Sequence, residues 1–165
     1  MIKIARKIVS LIVICVLFLT ISFSYNESAL ANLRQQEEMP GQILYQSRHS
    51  LQDNKGQAWQ LILFKRVKDG KVKDVDLRLV GFPDVVKFVH PENLTFKTLE
   101  GKEFTAPDQF AQESPANNVG QYNVKDILIN LAQEKSVKVD LPVQENLSLN
   151  IPYPVLLEWE QIANY

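Results

Sequence analysis

The chain has 165 residues, a formal net charge of −1 and a single cysteine, Cys15. That length suits one domain with a core of its own. The slightly acidic balance argues against nucleic acid as a partner, because phosphate binding needs a basic face, and one cysteine excludes a disulfide framework within the chain.

Lys3, Arg6 and Lys7 open the chain without an acid. Ile8 to Phe23 is then apolar apart from Ser10, Thr20 and Ser22, and Ala29-Leu30-Ala31 offers small residues in the small-x-small pattern. Basic, apolar and cleavable segments in this order predict a secretory signal peptide over residues 1–31. An uncleaved anchor is the alternative, but a stable span needs about 20 apolar residues. Ile14 precedes Cys15 where lipid attachment needs a small residue, so no lipoprotein is expected. Cleavage after Ala31 leaves 165 − 31 = 134 residues and no cysteine, which excludes thiol catalysis in the mature chain. Loss of three cations and Glu27 moves the charge from −1 to −3. Membrane contact is expected only through the signal segment before cleavage.

Residues 32–41 are polar and are expected to form a flexible lead-in to a single domain over 42–165. Ile43 to Leu51 alternates as a strand with one wetter face. Asp53-Asn54-Lys55-Gly56 is a turn. Ala58 to Val67 is apolar on both sides, with Trp59, Leu61 and Leu63 opposite Ile62 and Phe64, and so belongs mid-sheet. Lys68-Asp69-Gly70-Lys71 signals a hairpin into Val72 to Val80. There Lys73, Val75, Leu77 and Leu79 are expected inward, and Asp74, Asp76 and Arg78 towards water.

Gly81-Phe82-Pro83-Asp84 ends that strand, since proline cannot donate to a ladder and glycine permits a sharp bend. Phe82 is expected to fold back over the sheet end, because large aromatics are usually buried. The alternative is an outward aromatic anchor stiffened by Pro83. Val85 to His90 predicts a short strand. Leu94 to Leu99 and Glu103 to Ala106 predict a small hairpin, and Pro107 to Gly120 a loop. Asn123 is expected to cap a helix whose Val124, Ile127, Leu128 and Leu131 form one buried stripe, with Asp126 near its positive end. Val137 to Leu141 and Leu147 to Ile151 predict two more strands. Pro154 is placed to open a short C-terminal helix carrying Trp159 and Ile162. The fold class is α+β: a mostly antiparallel sheet with one packed helix and a short C-terminal helix, or a partly closed barrel.

The chemistry-bearing residues are few. His49 and His90 are the only histidines; with Asp84 they lack the local pairing usual for metal ligands, and they read as ordinary surface or sheet-edge groups. Ser47-Arg48-His49-Ser50 sets serines beside a histidine, but a triad is assembled in space and no nucleophile elbow is present. Asp74 and Asp76 share a strand face with Arg78 and read as a solvated charged stripe. Glu158 and Glu160 flank Trp159 as a wet helix face. No glycine-rich phosphate loop occurs. No catalytic, cofactor-binding or metal-ligating residue is assigned.

Gln57-Ala58-Trp59-Gln60, Leu77-Arg78-Leu79-Val80-Gly81-Phe82-Pro83, Gly120-Gln121-Tyr122 with Val124-Lys125-Asp126, and Glu158-Trp159 resemble a cyanobacterial family of exported proteins catalogued as a domain of unknown function. The resemblance spans Gln42 to about Ile162, with the Leu-Arg-Leu-Val-Gly-Phe-Pro stretch as its most specific part. It implies the periplasm or the thylakoid lumen and supplies no activity. The expectation is therefore an exported, non-enzymatic accessory or binding protein that docks on a photosynthetic or envelope complex. Phe82, Pro83 and Arg78 are the candidate partner-binding residues. The alternatives are a carrier of a small apolar ligand, with a barrel cavity lined by Trp59, Leu61 and Phe64, or an enzyme whose site does not show in sequence spacing.

Overall fold

A computed structural model describes residues 33–165. The expected signal peptide, the cleavage point after Ala31 and the new N-terminus at Asn32 lie outside the described residues. In chain order the elements are β1 (Arg34–Met39), β2 (Gln42–Gln52), β3 (Ala58–Lys68), β4 (Lys71–Val80), β5 (Leu94–Thr98), β6 (Glu103–Ala106), β7 (Val119–Asn123), α1 (Leu128–Ala132), β8 (Ser136–Asp140), β9 (Ser148–Pro152) and α2 (Tyr153–Asn164). They make two antiparallel sheets, one in the order β1-β2-β3-β4-β7 and one in the order β6-β5-β8-β9. The described strands form two separate sheets rather than a closed barrel.

Alternation decides which faces meet. On β3 the odd positions Trp59, Leu61 and Leu63 are buried, as are Val75, Leu77 and Leu79 on β4, where Leu79 faces Leu61, Leu77 faces Leu63 and Val75 faces Lys65. On the second sheet Phe96, Val139 and Leu149 stand side by side across β5, β8 and β9. All of these join one continuous apolar core with Leu128 and Leu131 of α1 and Val155, Leu156, Trp159 and Ile162 of α2. The turn chemistry follows the sequence. Asp69 and Gly70 both take positive φ, 50° and 73°, which matches the twist of a tight hairpin. The Asp53 carboxylate accepts the Lys55 and Gln57 amides at 2.8 and 3.0 Å and the Trp59 indole N–H at 2.9 Å, tying the β2–β3 turn to the core.

Several expectations change. The stretch expected as a lead-in contains β1, an edge strand paired with β2. Val85 to His90 is not a strand: Asp84 takes φ 62°, the Val85 and Val86 amides turn back to the Phe82 carbonyl, and only Phe88 makes a bridge, to Val143. β7 was not expected: it takes up the last two residues of the expected loop and continues to Asn123, the expected helix cap, and its pairing with β4 runs from Asp76 with Asn123 to Val80 with Val119. Asn123 therefore ends a strand; its side chain accepts the Lys125 amide at 3.1 Å, and α1 begins only at Leu128. The stripe still holds, with Val124, Leu128 and Leu131 buried and Ile127 packed against them. Lys73 is exposed because the register steps from Arg66 with Asp74 to Val67 with Val72, leaving Lys73 as the extra residue of a bulge.

α2 is fixed by polar groups from the sheet. Lys65, on the core-facing side of β3, donates from Nζ to the carbonyls of Ile162 and Ala163 at 3.1 and 2.8 Å. A cation there satisfies orphan carbonyls and complements the negative helix end, although burial pulls the Lys65 pKa down. The Tyr165 ring stacks on Tyr45 with centroids 4.5 Å apart. No helix among the described residues is long and apolar enough to cross a membrane.

Candidate docking site

Beyond Val80 the chain leaves the sheet under tight control. An added Cβ at Gly81 would stand 3.0 Å from two carbons of the Trp59 ring and 3.2 Å from Val86 Cβ. Gly81 is thus required by the close approach of Trp59, and its φ is not positive. The Gly81 N–H donates to the Asn118 carbonyl at 3.0 Å, and the Asn118 side-chain amide donates back to the Gly81 carbonyl at 2.8 Å. At the far end, the Phe88 amide donates to Asn117 and the Val89 amide to Pro142, each at 2.9 Å. Between these fixed ends the loop turns outward. Phe82 is 60% exposed and Val85 59% exposed. The expectation that Phe82 folds back over the sheet end is overturned. Trp59 and Val86, both buried, pack directly against Gly81 in the place that a folded-back Phe82 was expected to take.

The loop is a ridge with a groove on each flank. One groove, of about 260 Å³, is walled by Phe82 and Pro83 and has Ser50, Ala58, Gln60 and Val80 among its lining residues. Ser50 pairs with Gln60 and Gln60 with Val80, so these three form one row across β2, β3 and β4 on the face turned away from the core. The other groove, of about 220 Å³, lies between Asp84–Lys87 and the β8–β9 loop at Val143–Glu145.

Arg78 sits one row further along the same face, paired across the strands with Ile62 and Gln121. Its Nε and Nη2 both donate to Gln121 Oε1, at 3.0 and 2.6 Å, and Gln121 Nε2 donates to Asp76 Oδ2 at 2.9 Å. The guanidinium carbon lies 5.5 Å from the centre of the Phe64 ring, and that of Arg66 lies 4.8 Å from it. Arg66 is ion-paired with Glu38 and Asp74 at 2.9 and 3.1 Å; Arg78 has no ion pair among the described residues. The expected solvated stripe is corrected in one respect. Asp76 is only 4% exposed, and its Oδ1 has no hydrogen-bond partner. Burial, followed by the neighbouring charge of Asp74, raises its pKa.

Two polar clusters lie elsewhere, and both join residues too far apart in sequence for spacing to suggest. Glu158 is buried on α2; its Oε2 accepts the Ser47 hydroxyl at 2.9 Å and His49 Nε2 at 2.8 Å. Here the carboxylate, not the histidine, is the shared partner, and Ser47 is fully buried, so the set lacks the serine–histidine contact and the access that nucleophilic catalysis needs. Glu158 is accordingly not part of a wet helix face. His90 Nδ1 donates to Asp108 Oδ2, and Asp108 Oδ1 accepts the Phe110 amide at 2.9 Å. His90 Nε2 and the Tyr122 hydroxyl are buried without partners, and burial, with Asp108 and Glu92 nearby, pushes the Tyr122 hydroxyl pKa well up. The two histidines thus have separate carboxylates, and Asp84 is exposed on the loop. No three potential metal ligands converge among the described residues.

A family model described as a protein of unknown function, DUF3122, matches residues 31–162. The comparisons with curated proteins and with solved structures each gave no match.

Proposed function

The chain belongs to the DUF3122 family, and on that premise we propose that it is a non-enzymatic docking protein that engages a protein partner through the Phe82–Pro83 ridge. The observation that carries this reading is a phenylalanine 60% exposed on a loop fixed at both ends. Burying such a side chain is worth about 1.5–3 kcal/mol, which this chain forgoes in isolation and a partner can recover. The Asn118 clasp and Pro83 also reduce the ordering cost of association. Val85 and the two flanking grooves extend the contact.

Export belongs to the same proposal. It rests on the basic, apolar and Ala29-Leu30-Ala31 segments of the sequence, and places the mature chain in a periplasm or thylakoid lumen. There it would dock on a photosynthetic or envelope complex. The carrier reading finds less support: Trp59 and Leu61 are packed in the core, Phe64 lies on the opposite face of β3, and the sheets do not close.

Site-specific photo-crosslinking in the native host tests the docking reading. A photoreactive phenylalanine at position 82 should give a discrete adduct. The same group in place of Leu99, which is 74% exposed just past β5 in the other sheet, should not. Equal labelling from both positions, or none from position 82, would count against it.

A further inference from the structure

We propose that the groove beside Phe82 receives an acidic, apolar segment of a partner protein: one apolar side chain against the Phe82–Pro83 wall, with carboxylates reaching Arg48 and Arg78. The inference rests on the docking reading and adds the chemistry of the occupant.

The register supplies the geometry. Arg48, Ile62 and Arg78 form one cross-strand row, immediately next to the row Ser50, Gln60 and Val80 that lines the groove. Successive same-face rows are about 7 Å apart and neighbouring strands about 4.8 Å. A short segment lying in the groove therefore reaches both guanidinium groups. On β1, Arg34 faces Gln46 and adds a third cation to the same side.

Charge supplies the complementarity. Neither Arg34, Arg48 nor Arg78 is in an ion pair among the described residues, and Arg78 is held by a neutral amide, that of Gln121. The acids of this face are engaged already, including Asp76, which shares a cross-strand row with Arg34 and lies one row from Arg78. Glu38 and Asp74 are paired with Arg66, and Asp76 is buried with one oxygen on Gln121. Asp84 lines the groove on the opposite flank of the ridge. A chain with net charge −1 thus carries a local cationic band beside its exposed aromatic. A basic segment is repelled there, and a purely apolar one leaves the cations unused. Such surface charges act mainly through specificity and steering, and their effect weakens with salt.

The test uses a fluorescein-labelled peptide with a single leucine flanked by glutamates, and the same peptide with glutamines instead, read by fluorescence anisotropy. The acidic peptide should bind about tenfold or more tightly than its neutral counterpart, a preference that falls as salt rises. Arg48→Gln with Arg78→Gln should abolish that preference. Arg48→Glu, at an exposed position that leaves the Arg78–Gln121 contact intact, should do so without risk to folding. Phe82→Ala should weaken both peptides alike. Equal affinity for the two peptides, or a preference that survives in both arginine variants, overturns this inference while a Phe82 effect leaves the docking reading standing. Peptides indifferent to Phe82→Ala would remove both. Absence of peptide binding, with a dimer that Phe82→Ala dissolves, would assign the surface to a second copy of this chain and overturn the acidic-segment proposal.

Discussion

Gly81 and Asp76 carry constraints that a residue-by-residue reading of the sequence misses. Gly81 stands where a methyl group would press on the Trp59 ring and Val86. Gly81→Ala is expected to cost about 1–3 kcal/mol as an overpacked contact, measured by urea denaturation; a change of under about half a kcal/mol would mean the ring moves aside freely. Asp76 was expected in water, because simple alternation treats the outer face as solvent. Arg66 and Arg78 instead lie over Phe64, and Gln121 closes over the carboxylate, so this face shields itself. With its folded pKa raised above the ordinary 3.8, Asp76 binds its proton more tightly in the folded state than in the unfolded chain. Its charge therefore costs stability above the folded value, and that cost fades as the pH falls through it towards 3.8. Asp76→Asn should be the more stable protein at neutral pH, by on the order of 1 kcal/mol, with the gap closing in acid. A variant less stable than wild type at neutral pH would show that the carboxylate is better satisfied than its free Oδ1 implies. The direction of Phe82 was not legible for a related reason: aromatic burial is an average tendency, and the close packing of Trp59 and Val86 against Gly81 is a long-range contact that the local sequence does not show.

At the scale of elements, the strands with apolar alternation or a flanking turn signal were legible, down to the four residues of β6, whereas β1 and β7 were not. β2, β3, β4, β5, β8 and β9 fall where apolar periodicity places them, since each has one face in the core. β7 escaped notice because Val119-Gly120-Gln121-Tyr122-Asn123 offers only one large apolar inward residue, Tyr122, beside a glycine. That glycine is itself explained, since a Cβ there would stand 2.8 Å from the Phe88 ring and the Tyr122 hydroxyl. α1 shows the converse. Helical spacing correctly identified its buried stripe, yet only Leu128–Ala132 is helical, because Asn123 and the turn after it belong to the end of β7. A helix this short gains little from its own hydrogen bonds and depends on packing. Leu128→Ala should therefore cost about 2–5 kcal/mol; a denaturant midpoint left unchanged would remove α1 from the core. The polar contacts of α2 were illegible in sequence, since Lys65 meets Ile162 and Ala163, and His49 meets Glu158, across roughly a hundred residues of chain.

At the scale of the molecule, the two sheets and two helices of the described residues share one apolar core, and the ridge after β4 exposes Phe82 and Val85. Export makes a separate claim about the intact protein: in the native host the mature chain should begin at Asn32, and an intact mass that retains residues 1–31 would mean an anchor instead. The docking reading is tested most directly by one paired measurement on wild type and Phe82→Ala, comparing unfolding free energy with quantitative recovery of bound proteins from the native compartment. The two proteins should unfold within about half a kcal/mol of each other, as for an ordinary surface substitution, while recovery of the partner falls about tenfold or more, as for the loss of an aromatic anchor. Matched stability with undiminished recovery would contradict the account and leave Gly81-Phe82-Pro83-Asp84 as no more than the end of a strand.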